Sequence, residues 1–276
     1  MNMQHSIEQL RTPAGLLLMA TALIGVFMGA HWQPMIFVML PFYALTLLAP
    51  ALARRPETWI LATLLWAVAV VVRRNNMEDH VYLYLAWLVA VAVSLIDYPS
   101  FLEQVRRHGR YLIAVVFGFA TVWMITSLSF LNGTALWTIG LLDDRLGPLM
   151  RIMGISPESF DVARPQVERL VQGDSTEFEL GLSGYSTATL LGLSLITILT
   201  EAMVAVAHAV PDNNRLAALR APALVIFGIV TYAVVPVLPF ALLLAMIGST
   251  IAFFERRAVT AFAVMVLISV IRFLTL

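Results

Sequence analysis

The 276-residue chain has no cysteine. Disulfides, thiolate metal centres and cysteine nucleophiles are therefore excluded. All 17 basic residues are arginine, and lysine is absent. A retinal or pyridoxal Schiff base and a P-loop each depend on a lysine amine, so those chemistries are excluded too. Charge is scarce: charged residues make up 12% of the chain, against about 25% in a soluble domain. Acids and arginines cancel to a net charge of zero, which leaves no basic footprint for nucleic acid. The chain holds no Gly-rich phosphate loop, no GxSxG elbow and no HExxH pair, and no metal site is expected.

What the chain has instead is long apolar runs. Hydrophobic residues reach 60% with a mean hydropathy of +0.87, and the runs lack the alternation of a half-buried soluble element, so hydrocarbon is the solvent that fits. The expected fold is all-α: a polytopic transmembrane helix bundle of about nine spans (eight if two merge). The spans are placed at 13–30, 34–52, 58–72, 81–96, 111–128, 184–210, 222–236, 238–254 and 258–275. Pro236 and Pro239 break the stretch 222–254, as two helices or as one broken helix. The first run exceeds a signal-peptide core and Gly29-Ala30-His31 is a poor cleavage site, so it is expected to remain as a helix. The chain divides into spans one to five (1–128), a mostly helical extramembrane segment (129–183) and spans six to nine (184–276).

Arginine placement sets the expected orientation. With the N-terminus cytoplasmic, the inner face collects Arg11, Arg54, Arg55, Arg106, Arg107, Arg110, Arg215, Arg220, Arg256 and Arg257. The outer face collects Arg73, Arg74, Arg145, Arg151, Arg164, Arg169 and Arg272. The expected location is the plasma (bacterial inner) membrane, with the C-terminus outside. Segment 129–183 carries four arginines against eight acids. Its apolar first part predicts amphipathic helices on the membrane surface, and Pro165–Gln172 reads as a short helix stopped by Gly173.

Ionisable groups inside spans are costly and mark candidate sites. Glu201 lies deep in the sixth span. His208, seven residues on, and Thr197, one turn earlier, share its helical face, with Ser194 continuing the stripe. A carboxylate, an imidazole and hydroxyls in one stripe can relay protons or hold a polar headgroup; equally, Glu201 can bond a neighbouring helix. The second constellation opens the fourth span: Asn75-Asn76-Met77-Glu78-Asp79-His80. These polar groups suit a helix N-terminus, and His80 adds a group titrating near neutrality beside Tyr82 and Tyr84. Trp32, Trp59, Trp87, Trp123 and Trp137 fall near span ends and predict an interfacial belt, whereas mid-span Trp66 predicts packing. Asp97 marks a span boundary.

The string Asn75-Asn76-Met-Glu-Asp-His80-Val-Tyr82-Leu83-Tyr84 resembles the Asn-Asn-His-Ser-Tyr-Leu-Tyr run of vitamin K-dependent gamma-carboxylases and of their bacterial relatives, the horizontally transferred transmembrane domain proteins. The order continues through Arg110-Tyr111 to Ser127, a W-x-x-G-like element at Phe130–Leu136, Glu201 as the family's helix glutamate, and Tyr232–Phe240 as its aromatic-proline-aromatic run. The resemblance covers about 58–254. It implies a carboxylase-like membrane fold, His80 as an active-site histidine with Glu201 as second catalytic candidate, and an outward pocket for a quinone or lipid, with Asn76, Tyr82, Tyr84, Thr197 and His208 as ligand-binding candidates. The family's catalytic lysine has no counterpart at Val122–Thr126 or elsewhere, so lysine-dependent carboxylation does not follow. Three functions fit these features: a lipid- or quinone-binding membrane protein, whether or not it is also an enzyme; a non-catalytic subunit docking a periplasmic or membrane partner through 129–183; and a proton-coupled transporter.

Overall fold

A computed structural model describes residues 12–29, 33–73, 79–152, 162–165, 169, 184–234, 237–253 and 255–275. Every regular element among them is helical. Nine helices have fourteen residues or more: α1 (Pro13–Gly29), α2 (Gln33–Leu48), α4 (Pro56–Arg73), α5 (Asp79–Ser94), α6 (Phe101–Thr126), α10 (Gly184–Ala209), α11 (Arg220–Val234), α12 (Leu238–Ile251) and α13 (Arg256–Leu274). Short helices α3 (Pro50–Ala53), α7 (Leu128–Leu131), α8 (Thr134–Leu142) and α9 (Gly147–Ile152) lie between them.

By length and composition, four described stretches can cross a membrane: His80–Thr126, Thr187–Ala209, Arg215–Tyr232 and Arg256–Leu274. Four shorter apolar helices accompany them: Pro13–Gly29, Met35–Leu48, Pro56–Val72 and Leu238–Ile251. These apolar helices are consistent with a multi-pass membrane protein.

The first of the four stretches is a hairpin. Asp97 leaves helical geometry (φ −115°, ψ 81°) beside Pro99, and α6 turns back along α5. Ser94 and His108 meet across the turn at 2.9 Å, and Gly109 lets α6 approach so closely that a Cβ there would lie 3.2 Å from the Trp87 ring. Helix α6 starts at Phe101, ten residues before the expected start at 111. The polar stretch with Arg106, Arg107 and Arg110 is thus helical, because its buried residues Phe101, Val105, Gly109 and Ile113 keep an i, i+4 stripe that continues into the apolar half. Ends 222–236 and 238–254 appear as separate helices α11 and α12; Pro236 lies outside the described residues.

Four aromatic rings organise the core where α1, α2, α4 and α5 meet. Trp59, Trp66, Tyr84 and Trp87 are fully or almost fully buried. Tyr84 donates to the Thr21 carbonyl at 2.9 Å, Trp87 to the Thr21 hydroxyl at 3.1 Å, Trp59 to the Ala53 carbonyl at 2.7 Å and Trp66 to the Met39 sulfur at 3.0 Å. Each ring therefore has its polar atom bonded inside the bundle. The interfacial-belt expectation fails for Trp59, Trp87 and Trp137, which are all buried; Trp123 alone of the four described candidates is exposed. Position along a span places a ring in depth but not in rotation, and the i, i+4, i+7 stripe Tyr84–Leu88–Val91 carries Trp87 to the inner face. Mid-span Trp66 packs as expected.

The two ends of the bundle differ. One gathers the turns after α2, α5, α10 and α12, and there Arg106, Arg110 and Arg220 converge on Asp212. The other holds His80, Tyr232 and Phe240, along with α7–α9, which pack on the flank of α10 as a small separate core of Trp137, Leu141, Leu146, Met150 and Leu190. This first part of the expected surface segment is helical, as its composition suggested. Its remainder, including the helix placed at Pro165–Gln172, falls almost wholly outside the described residues.

Candidate functional site

A cleft of about 230 Å³ runs along α10 between that helix, α11 and the α8–α9 segment. Leu190, Leu193, Thr197 and Glu201 form one wall, spaced three or four residues apart so that they lie on one helical face. Phe227, Val230 and Thr231 of α11 form the second wall, and Leu136, Ile139 and Met150 the third. Glu201 is the sole ionisable group in this lining.

One carboxyl oxygen of Glu201, Oε2, is buried without a hydrogen-bond partner among the described residues. The Thr197 hydroxyl donates to the Leu193 carbonyl at 2.9 Å, a bond along its own helix that uses its proton and leaves the oxygen able to accept. An unpaired buried carboxyl oxygen costs on the order of 1–3 kcal/mol. A helix that merely needed apolar packing would carry leucine there. The arrangement can accept a hydrogen bond, or donate one when protonated, to a polar group at the end of an apolar ligand. The bland alternative, that Glu201 bonds a neighbouring helix, is not realised for Oε2.

The other candidates do not gather at Glu201. His80 is buried at the start of α5 and stacks on Phe240 with ring centroids 6.0 Å apart. Phe240 in turn meets Tyr232 edge-on at 6.1 Å. None of the three lines the cleft. Tyr84 shares the face of His80 but sits in the core as a structural donor, and Tyr82, two residues from each, turns to the exposed side. The two tyrosines therefore point to different sides of α5. Asn76 lies outside the described residues.

His208 is buried, with Nδ1 2.8 Å from the Val204 carbonyl, and lines a different cavity at the arginine-rich end. Its shared helical face with Glu201 does not make a shared site, because two turns separate them by about 10 Å along the axis. Ser194 is buried, its hydroxyl has no partner among the described residues, and it is not part of the cleft lining. Among the described residues no cluster of His, Asp or Glu could hold a metal ion.

Two features escaped the sequence reading. Thr231 faces Glu201's cleft from α11, with no signal beyond one threonine in an apolar helix. The Asp212 node joins residues 102 and 8 positions apart, a separation that local pattern does not reveal. No protein-family model, curated protein or solved structure matches the chain. The carboxylase resemblance therefore rests on its motif order alone.

Proposed function

We propose that the protein is a nine-span membrane protein that binds an amphiphile, a quinone or lipid with one hydrogen-bonding head and an apolar tail, in the Glu201 cleft. The observation that carries the reading is the unpartnered Oε2 of Glu201 in an otherwise apolar wall. A cavity of about 150 Å³ lined by aliphatic residues already accepts benzene, so about 230 Å³ suits one ring or a short chain segment. From Leu190 to Glu201 the wall rises about 16 Å, enough to align a ligand with the helix axis. Depth adds to the argument, since an ionisable group within a span is retained at a cost of a few kcal/mol.

The orientation follows from the arginines. Nine of the described arginines (Arg54, Arg55, Arg106, Arg107, Arg110, Arg215, Arg220, Arg256 and Arg257) belong to turns and helix ends on one side. That side is read as cytoplasmic, which puts the start of α1 inside, the end of α13 outside and the α8–α9 wall of the cleft towards the outer face. In this reading the ligand position moves from the expected His80 to Glu201, and lysine-dependent carboxylation has no part in it.

Native mass spectrometry of the detergent-solubilised full chain with a short-tail quinone and a prenyl alcohol tests the proposal. Adducts of at least one should form, and Glu201→Gln and Leu193→Trp should each remove them while leaving the protein folded. Adducts unchanged in both variants would contradict the cleft. A second reading, a proton-coupled transporter, is favoured only by Glu201 and His208 lining two separate cavities along one helix. Proton-driven uptake into vesicles that persists in Glu201→Gln would remove it.

A further inference from the structure

We infer that the second cavity, at the arginine-rich end, is a binding site for the phosphate headgroup of an anionic lipid. It measures about 310 Å³ and lies between α6, α10, α11, α12 and α13. Its lining is amphipathic: Arg106, His208 and Arg220 stand against Leu224, Ile251 and Phe262, with Glu255 the one acid. Phe253 closes a side, held at φ 53° with the Arg106 guanidinium 4.8 Å over its ring.

Both arginines are held in place before any ligand arrives. Arg220 is buried, and it donates to the Ala207 and Val210 carbonyls at the end of α10 and to Asp212. Arg106 donates to the Ile251 carbonyl at 3.0 Å and to Glu103 at 3.4 Å, and lies 3.5 Å from Asp212. A guanidinium has five N–H donors; Arg220 uses three on protein partners and Arg106 two, with a third nitrogen at ion-pair distance from Asp212, so each keeps further donors for an incoming oxygen. Their fork geometry matches a phosphate, and preorganisation lowers the ordering cost of binding it. The surroundings add to the attraction. Residues 49–57, 94–110, 209–220 and 252–257 carry nine arginines against five acids. Basic pockets between transmembrane helices on the cytoplasmic side hold anionic lipid headgroups, and the aliphatic and aromatic wall here gives the first acyl carbons a dry surface. The inference uses the membrane reading but not the Glu201 cleft.

The test is lipid retention by the delipidated full chain in native mass spectrometry. Phosphatidylglycerol and phosphatidylcholine with identical acyl chains are offered at equal concentration, with and without excess inorganic phosphate. Phosphatidylglycerol should be retained over phosphatidylcholine, and Arg106→Gln should lower that retention about tenfold, the scale of one charge-assisted contact. Ala218→Trp, which fills the cavity from an exposed turn and removes no charge, should lower it as well and keeps the test valid if Arg106→Gln misfolds. Loss of lipid on adding phosphate would support recognition of the phosphate group from either source; retention in its presence would support the intact lipid. Equal retention of the two lipids, or retention unmoved by both substitutions, would overturn the inference. So would loss of retention in Glu201→Gln, because it would put the lipid in the other cleft.

Discussion

The α1–α4–α5 side and the α10 side of the molecule are built to different rules. Around α5 the large rings interlock and their polar atoms are all bonded internally, and 56% of the most apolar window of the α5–α6 hairpin is buried in the protein. In α10 that share is 28%, and a cleft opens beside a carboxyl oxygen that has no hydrogen-bond partner among the described residues. Tight packing with small residues at the contacts is what drives helix association where lipid is as apolar as leucine. The first side therefore reads as scaffold, and the second leaves an apolar cleft with a carboxyl group in its wall.

Substitutions can break this contrast. Trp87→Ala should have the largest effect, about 3–5 kcal/mol of lost stability, because it empties a fully buried site and strips the Thr21 hydroxyl of its donor. Thermal or detergent-titrated unfolding measures it, and a loss under about 1 kcal/mol would mean that the scaffold side is not tightly packed. Gly133→Ala comes next. Gly133 sits at φ 81°, and its added Cβ would lie 2.9 Å from Leu190 Cβ, so about 1–2 kcal/mol of strain is expected. Hydrogen exchange should rise in 134–150 and not in α5, since the segment has its own small core.

Asp212→Asn should cost about 1 kcal/mol or less, as its carboxylate is exposed and screened. The Arg220 guanidinium bonded to it, helped by the charges of Arg106 and Arg110, holds that carboxyl below its ordinary value. A lowered folded value means the stabilisation is present above the ordinary carboxylate range and is lost as pH falls through the lowered one. The midpoint of unfolding should thus fall more steeply below about pH 4 in the native chain than in Asp212→Asn; parallel curves would show that the node does not contribute. Glu201→Gln should change stability least, because no described residue bonds Oε2, while ligand retention is lost. A large destabilisation would return Glu201 to the scaffold.

Apolar run length made the helices legible, and Asp97 marked the span boundary at which the chain reverses. The stripe of Thr197 and Glu201 was legible because a 3.6-residue repeat fixes which side chains share a face. What faces that stripe was not. Thr231 and the α8–α9 wall are set by how helices rotate against one another, which depends on contacts such as Gly109 on Trp87 and Gly133 on Leu190. The same blindness to rotation placed Trp59 and Trp87 at the surface and grouped Tyr82 with Tyr84.

The central claim is that an amphiphile completes the α10 cleft. A cryo-electron microscopy map of the full chain in lipid nanodiscs tests it most directly. Elongated non-protein density is expected between α10, α11 and α8–α9, ending within about 3.2 Å of the Glu201 carboxyl. A cleft closed by protein side chains, with Oε2 bonded to one of them, would contradict it.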